Sequence, residues 1–326
     1  MLSKRLRRRL RQIDDAPKSP AEAQRPEDAA DRASTPAEPV HTGMPELSRR
    51  RLAEQVRRSR EPLPAPAPVS PPPIPIPCGP LEELVPGEAV ASEQGAYWRV
   101  AGPAYEMLPH GTEVLERFGR LTDVLGDEAE GLLAHLRGLA PREFALLDTE
   151  TAGLASAPIF LVGMIVWEAD APGEALSVQM FARDYAEERA VLAQAAALLA
   201  GRSVLMTYNG RSFDLPMLRE RMIYHALGAC PEPATHLDLL HEIRARFRGR
   251  WEDCRLQTLE RRLCGRSRFG DIDGADIPQA WHDFVHTGDA GRIAQIMEHN
   301  RLDLITMLEV LPHLRPAASG DPHTPA

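Results

Sequence analysis

The stretch from Phe144 to Trp167 reads FALLDTETAGLASAPIFLVGMIVW, and it indicates the fold class because it contains two apolar runs separated by a short polar segment. FALLDTET (residues 144–151) is an apolar run that ends in acidic residues, and IFLVGMIVW (residues 159–167) is apolar throughout, as a buried strand is. LSVQMFA (residues 176–182) then alternates in the way a third strand does. The sequence therefore predicts three consecutive strands.

Downstream of these strands, helical and strand patterns alternate. Helices are predicted where apolar residues recur at helical spacing, and strands where short apolar runs end at turn residues. The predicted elements are helix 186–200, strand 203–210, helix 213–227, strand 236–243, helix 256–265, loop 268–278 and helix 291–311. The order β-β-β-α-β-α-β-α-α predicts an α/β fold in which a mixed sheet is flanked by helices.

Residues 1–80 differ in composition from the rest of the chain. They contain 16 of the 30 prolines and carry 15 Lys and Arg against 10 Asp and Glu, whereas the remaining residues carry a net charge of −14. Such a segment buries too little apolar surface to offset its ordering entropy, so we predict a disordered tail. Its Arg-rich patches fit contact with nucleic acid, and they fit equally well a solvated arm without a fixed partner.

Cysteine and hydropathy patterns exclude several classes of protein. The four cysteines include no CxxC pair, so neither a zinc site nor a disulfide framework is predicted, and a reduced, cytoplasmic setting is expected. The longest apolar run, Ala157 to Trp167, is about half a membrane span, so no membrane partner is expected. The basic start MLSKRLRRRLRQ lacks the apolar core of a signal peptide.

Asp148-Thr149-Glu150 ends the first predicted strand. Alternation along a strand puts the two acidic side chains on the same face. Two converging carboxylates repel each other unless a cation neutralises them, and oxygen ligands suit Mg²⁺ or Mn²⁺. The same pattern also occurs by chance at solvated strand ends.

The second candidate segment is YNGRSFDLPML, residues 208–218. A strand leads into a turn here, and Asp214 begins a helix. An acid near a helix N-terminus is also explained as a cap or as a partner of the helix dipole. Capping, however, requires neither Asn209 nor the pair Phe213-Asp214.

The third candidate segment is HNRLD, residues 299–303, on the last predicted helix. Positions i and i+4 share a helix face, so His299 and Asp303 lie one turn apart. An imidazole beside a carboxylate suits a metal ligand with a neighbouring general base. It also fits an ordinary pair on a helix surface.

Taken in this order, DxE on a first strand, NxxxFD at a strand-to-helix turn and HxxxD on a terminal helix resemble the motifs of the DEDD exonuclease superfamily. The stretch from Phe144 to Leu311 is similar to the YprB-like, ribonuclease-H-like group in particular, including the segments HLDLLH, LQTLE and RFGDIDGADIP. The resemblance implies a ribonuclease-H-like fold. The chain is then divided into a disordered tail (1-80), an N-terminal extension (81-140), a nuclease domain (141-315) and a C-terminal tail (316-326).

The resemblance also implies an activity, namely metal-dependent hydrolysis of phosphodiester bonds in nucleic acid, from 3′ to 5′ at a single-stranded end. It implies two Mg²⁺ or Mn²⁺ ions, with His299 as the general base. The implied metal ligands, which also count as catalytic residues, are Asp148, Glu150, Asp214 and Asp303. The implied substrate-binding residues are Thr149, Tyr208, Asn209 and Phe213.

The third motif departs from the superfamily pattern. The usual forms are His with an Asp five residues on, or Tyr with an Asp four residues on, whereas His299 here has the four-residue spacing. This departure favours a second hypothesis, a catalytically weak or inactive nucleic-acid-binding module of the same fold. A third hypothesis is a scaffold protein whose partners bind residues 1–80. DNA versus RNA, end versus internal cleavage, and the oligomeric state stay open.

Overall fold

A computed structural model of the chain describes residues 75–107, 110–124, 131–134, 136, 138–154, 156–167 and 175–314. The predicted C-terminal tail, and the predicted N-terminal tail up to residue 74, lie outside the described residues. The strands in the described ranges are β1 (Glu88–Ser92), β2 (Gly95–Pro103), β3 (Phe144–Thr151), β4 (Ile159–Trp167), β5 (Ala175–Phe181), β6 (Val204–Thr207) and β7 (Thr235–Asp238).

The helices in the described ranges include four single turns and six longer helices. The single turns are α1 (Leu81–Leu84), α3 (Gly131–Ala134), α7 (Leu256–Leu259) and a π-helical turn (Glu260–Cys264) that continues α7. The longer helices are α2 (Gly111–Val124), α4 (Glu188–Leu199), α5 (Asp214–Tyr224), α6 (Leu239–Phe247), α8 (Ile277–Thr287) and α9 (Gly291–Val310), of which α6 is the shortest. No helix in these ranges combines the length and apolar character that crossing a membrane requires.

One mixed sheet contains the described strands in the order β1-β2-β5-β4-β3-β6-β7. Neighbouring strands from β1 to β3 pair antiparallel, whereas β3, β6 and β7 run parallel. Parallel neighbours need a crossover connection, and α5 supplies it between β6 and β7. The predicted α/β class with a mixed, helix-flanked sheet is confirmed, and a β1–β2 hairpin extends this sheet at one edge.

The centre of the sheet explains why the acidic strand end lies at the surface. β4 is buried along its whole length, with β3 on one side and β5 on the other. β3 is buried over its first four residues and becomes half-buried from Asp148 onward. The apolar half of β3 thus anchors the strand, and its acidic half emerges from the core.

Helices pack on both faces of the sheet. Leu147 of β3 belongs to a buried apolar cluster that includes residues of α4, α5 and α8. Leu146 belongs to a second cluster that includes α6 and the second half of α9. Since alternate residues of a strand share a face, Asp148 and Glu150 lie on the side of Leu146, where α9 packs.

Two local predictions were wrong. HLDLLHEI is a strand only as far as Asp238, because the Asp238 carboxylate accepts a hydrogen bond from Leu240 N at 3.2 Å and so caps α6. The sequence also predicted no element between the loop 268–278 and the last helix, yet α8 begins at Ile277. Pro278 lies in the first turn of α8, where a helix tolerates proline.

Candidate active site

The acidic end of β3 forms one side of the site. Asp148 pairs with Gly163 and Glu150 with Leu161 of β4, and the strand register shifts immediately after Glu150. Such a bulge ends regular pairing and redirects the strand. Asp148 and Glu150 both line a cleft of about 520 Å³ at this edge of the sheet.

The turn between β6 and α5 brings Asp214 to the acids of β3. Asn209 in this turn adopts a φ of 67°, a left-handed conformation that Asn tolerates better than most residues. The buried Asp238 carboxylate holds the turn by accepting hydrogen bonds from Asn209 N at 2.8 Å and Arg211 N at 3.1 Å. Asp214 is itself buried and accepts a 2.7 Å hydrogen bond from the Thr149 hydroxyl, so it lies beside the Asp148-Glu150 pair.

Helix α9 supplies the third part of the site. His299 and Asp303 lie one turn apart, with His299 Nε2 3.7 Å from an Asp303 carboxylate oxygen. The other ring nitrogen, Nδ1, lies 2.8 Å from Asp271 Oδ1. A carboxylate on Nδ1 fixes the orientation of an imidazole, so Asp271 directs Nε2 toward Asp303.

Asn300 connects α9 to Asp148. Its fully buried amide nitrogen donates to Asp148 Oδ2 at 2.8 Å and to Asp148 O at 3.2 Å. Its amide oxygen accepts a hydrogen bond from Gln179 Nε2 at 2.9 Å. The amide fits against β4 because residue 163 is glycine, and a Cβ on Gly163 would lie 2.0 Å from Asn300 Oδ1. Asn300 therefore orients the Asp148 carboxylate.

A buried guanidinium lies beside the carboxylates. Arg268, with 3% of its side chain exposed, forms ion pairs with Asp303, with Glu260 at 2.6 Å and with Asp271 at 3.2 Å. Glu260 is fully buried in the π-helical turn 260–264, and π-helical turns frequently occur at functional sites. Arg268 thus neutralises part of the negative charge on the α9 side of the site.

Burial raises the pKa values of the four candidate carboxyl groups, and the charges of neighbouring carboxylates add to the shift. The pKa of Asp148 lies well above its usual value, chiefly because of burial and then because of the charges of Asp303, Glu150 and Asp214. Burial is also the main cause that raises the pKa of Glu150 to about 8 and that of Asp214 to about 6. Burial raises the pKa of Asp303 as well, although Arg268 opposes the shift. The positive charge around the four carboxyl groups is therefore too small to keep their pKa values at the usual level.

The pKa of His299 is raised to about 9. Burial by itself would lower it, but the hydrogen bond with Asp271 and the charges of Asp303 and Glu150 outweigh burial. The imidazole of the metal-free site is therefore mostly cationic at neutral pH. Neutralising the acids favours its neutral form.

The chemistry of the donors fits hard divalent cations, because all four groups offer carboxylate oxygens. Within the described ranges, however, no three His, Cys, Asp or Glu side chains already converge in a metal-binding arrangement. The Asp303 carboxylate forms an ion pair with Arg268. A cation that uses Asp303 has to share this carboxylate with Arg268 or displace the guanidinium.

The carboxylates lie where two clefts meet, and Tyr208 and Asn209 line both. The cleft of about 520 Å³ contains Leu154 and Phe213, which are 82% and 54% exposed, and we call it the apolar cleft. The second cleft, of about 560 Å³, contains His299 and Asp303. It is also lined by exposed arginines, and we call it the arginine cleft.

The structure brings all the site residues predicted from sequence to these two clefts. The apolar cleft contains Asp148, Thr149, Glu150, Tyr208, Asn209, Phe213 and Asp214, and the arginine cleft contains Tyr208, Asn209, His299 and Asp303. Two of the predicted substrate-binding hydroxyls are used within the fold. Thr149 donates to Asp214, and Tyr208 donates to Cys254 O. Among the described residues, no such hydrogen bond occupies the exposed side chain of Phe213.

Asn300, Gln179 and Arg268 take part in the site, although the sequence motifs predicted none of them beside the carboxylates. A signal for Asn300 was present, because a glycine inside an otherwise apolar strand, such as Gly163, marks the close approach of another group. For Arg268 no comparable local signal existed. Its partner Asp303 lies 35 residues further along the chain, and the two meet only through packing.

Comparisons with known proteins support the resemblance. The family model described as RNase_H superfamily matches residues 145–315. The "Uncharacterized protein YprB" of Bacillus subtilis (strain 168) is 26% identical over 220 residues, which are 65% of this chain and 52% of that protein. The chain thus spans about half the length of the curated relative it matches. The family B DNA polymerase from the hyperthermophilic archaeon Pyrobaculum calidifontis is 18% identical, with a TM-score of 0.42, over 52% of this chain and 24% of that chain.

Proposed function

This chain belongs to the RNase_H superfamily, and on that premise we propose that it is a metal-dependent nuclease that hydrolyses phosphodiester bonds in nucleic acid. The predicted YprB-like, ribonuclease-H-like group and fold are confirmed by the family match and the YprB relative. The proposal includes a 3′–5′ exonuclease activity on a single-stranded end. It also includes residues 141–315 as the nuclease domain. A cytoplasmic setting is part of the proposal as well, and it rests on the cysteine pattern.

One observation carries this proposal. Carboxylates from three separate segments, namely the end of β3, the start of α5 and the middle of α9, lie close enough to raise one another's pKa values. Keeping four acids together at a sheet edge is unfavourable, and a fold retains such a group where a cation or a reaction needs it. The donor set therefore supports a site for divalent cations.

Each residue of the site has a part in the proposed reaction. Asp148, Glu150, Asp214 and Asp303 would hold two Mg²⁺ or Mn²⁺ ions, and such ions supply an activated water and stabilise the charge on the leaving oxygen. Asn300 keeps the Asp148 carboxylate in position.

His299 provides the proton transfer in this proposal. When the imidazole is neutral, Nδ1–H donates to Asp271, because a carboxylate can only accept. Nε2 then carries the free lone pair on the side of Asp303, where it accepts a proton from an attacking water. The apolar cleft, with the exposed ring of Phe213, suits the base of a terminal nucleotide.

A second candidate function is a catalytically weak or inactive nucleic-acid-binding module. The ion pair between Arg268 and Asp303 favours it, because the guanidinium occupies a carboxylate that the metal mechanism needs. The presence of all four carboxylates favours the nuclease.

Metal-dependent cleavage distinguishes the two candidates. Purified full-length protein is incubated with Mn²⁺ and with 5′-end-labelled single- and double-stranded DNA and RNA, with Asp148→Asn as the matched control. An exonuclease shortens the labelled strand one nucleotide at a time from the 3′ end, and Asp148→Asn does not. Binding without Mn²⁺-dependent cleavage on all four substrates would establish the binding module instead.

A further inference from the structure

The arginine cleft extends from the proposed catalytic residues to a basic wall. The same cavity of about 560 Å³ is lined by His299 and Asp303 and also by Arg244, Arg248 and Arg255, the three arginines that we call the wall. All three arginines of the wall are exposed. A ligand that fills this cleft next to His299 therefore shares the cavity with the three guanidinium groups.

The wall is built by the end of α6 and the segment after it. Arg248 follows the last turn of α6, and its N–H donates to Arg244 O at 3.2 Å, so the two arginines lie one turn apart on one side of the helix. Gly249 then adopts a φ of 81°, which turns the chain back. Trp251 stacks on Phe247 at 4.3 Å between ring centroids, which fixes the segment that follows.

This segment is also fastened to the active site. The Tyr208 hydroxyl donates to Cys254 O, so the residue next to Arg255 is attached to the end of β6. Arg255 N donates to Asp253 Oδ1 at 3.0 Å, which orders the start of α7. The basic wall and the Asn209 turn are thus held in one arrangement.

The charges of the wall are available to a ligand, in contrast to those of the nearby arginines. Arg261 and Arg262 both pair with Glu252, and Arg266 and Arg268 pair with buried or half-buried acids. Among the described residues, no carboxylate forms an ion pair with Arg244 or Arg248.

Arg255 has an Asp253 oxygen 3.6 Å away, but 80% of its side chain is exposed, so this contact is weak. The wall is moreover not typical of the surface, because residues 81–326 carry a net charge of −14. A concentration of unpaired guanidinium groups on an acidic domain points to an anionic ligand.

We infer that the arginine cleft binds the backbone phosphates of single-stranded nucleic acid next to the bond that is cut, an inference that rests on the proposed function. Guanidinium groups bind phosphate oxygens in bidentate fashion, and backbone contacts position a strand without reading its bases. The cleft has the volume of a small-molecule site, which suits a few nucleotides of one strand. Arg244 and Arg248, spaced one helical turn apart, contact neighbouring phosphates, and Arg255 lies on the same path.

The test removes the two unpaired charges of the wall. Full-length Arg244→Gln/Arg248→Gln is compared with the parent on oligo(dT) and oligo(U) of about 20 nucleotides, a length that exceeds the site size of one binding domain. Arg261→Gln/Arg262→Gln is the matched control, because it removes the same charge from a surface ion-pair group. All three proteins carry the same N-terminal arginines, so the contribution of the tail cancels.

At physiological salt the wall variant should show a KM roughly tenfold higher on the oligonucleotide, and the slope of log KM against log salt should fall by about 1.4, the value for two phosphate contacts on a single strand. The rise should be larger for the oligonucleotide than for the dinucleotide of the same sequence, and it should lie mainly in KM rather than in kcat. The control variant should match the parent.

An unchanged salt slope in the wall variant overturns the inference, as does a loss that is equal for dinucleotide and oligonucleotide. If the parent cleaves neither oligonucleotide, the proposed exonuclease activity on single strands fails. The cleft is then tested by fluorescence anisotropy with labelled oligonucleotide in the presence of Ca²⁺. In that assay, a dissociation constant raised roughly tenfold in the wall variant supports the inference, and a constant equal to that of the parent refutes it.

Discussion

Gly163→Ala is expected to damage the site from inside the sheet. Gly163 lies on β4 between Asp148 of β3 and Gln179 of β5, which are its partners in the two neighbouring strands. The new Cβ would lie 2.0 Å from Asn300 Oδ1, 2.8 Å from Asn300 Cγ and 2.9 Å from Leu304 Cδ1. Real carbon atoms do not approach so closely, and Asn300 is fully buried, so its amide has to move.

The cost follows from what the Asn300 amide loses. Moving it breaks the 2.9 Å hydrogen bond from Gln179 and the 2.8 Å hydrogen bond to Asp148. A buried polar group left without its partner costs about 1–3 kcal/mol, and overpacking a core costs a further ~1–3 kcal/mol. Gln179 keeps its 2.7 Å hydrogen bond to Met297 O, which limits the loss. We expect the free energy of unfolding to fall by about 3–5 kcal/mol.

A double-mutant cycle measured by urea denaturation tests this explanation. Asn300→Ala removes the same hydrogen bonds and also the two Asn300 atoms with which the Cβ clashes, whereas Leu304 Cδ1 remains. The double variant should therefore be about as stable as Asn300→Ala alone, so the coupling energy should offset most of the effect of Gly163→Ala, which is about 3–5 kcal/mol. Gly102→Ala on β2 is the control, because a Cβ there meets nothing within 4 Å, and it should change stability by less than about 1 kcal/mol. Additive effects of Gly163→Ala and Asn300→Ala would refute the reasoning.

Four further predictions concern the charges of the site and the tail. Mg²⁺ or Mn²⁺ should raise the melting temperature by mass action, and Asp148→Asn with Glu150→Gln should abolish the rise; an undiminished rise in that variant contradicts the ligand assignment. Without metal, stability should fall as pH increases from about 5 to 9, because Glu150 (pKa about 8) and His299 (pKa about 9) keep protons in the folded state that the unfolded chain has already released. Denaturation midpoints that rise over this pH range contradict the electrostatic description. His299→Ala should slow single-turnover cleavage by roughly 10²–10⁴-fold with little change in metal-induced stabilisation. His299→Tyr should retain more activity than His299→Ala. Equal rates for both variants and the parent would show that His299 takes no part in catalysis. Deleting residues 1–80 should weaken nucleic-acid binding and flatten its salt dependence while metal-dependent cleavage persists at high enzyme concentration; complete loss of cleavage by a folded core would assign the tail a larger role.

Several predictions from sequence held because they depend on local patterns. The alternation of β3 placed Asp148 and Glu150 on one face, and the spacing of four residues on α9 placed His299 one turn from Asp303. Strand and helix periodicities also sufficed for the α/β class. The errors were local as well, since HLDLLHEI continues an apolar run across a boundary that only the Asp238 cap marks.

The sequence by itself determined the family, the three ordered motifs and the residue types that can hold divalent cations, because each follows from a pattern within a few consecutive residues. Only the tertiary structure decided the strand order, the Gln179–Asn300–Asp148 connection against Gly163, the ion pair of Arg268 with Asp303, and the orientation of His299 by Asp271. These contacts join residues that lie 28 to 152 positions apart in the sequence. Pairings of that kind depend on how helices pack on the sheet, and packing is a property of the whole chain rather than of any segment.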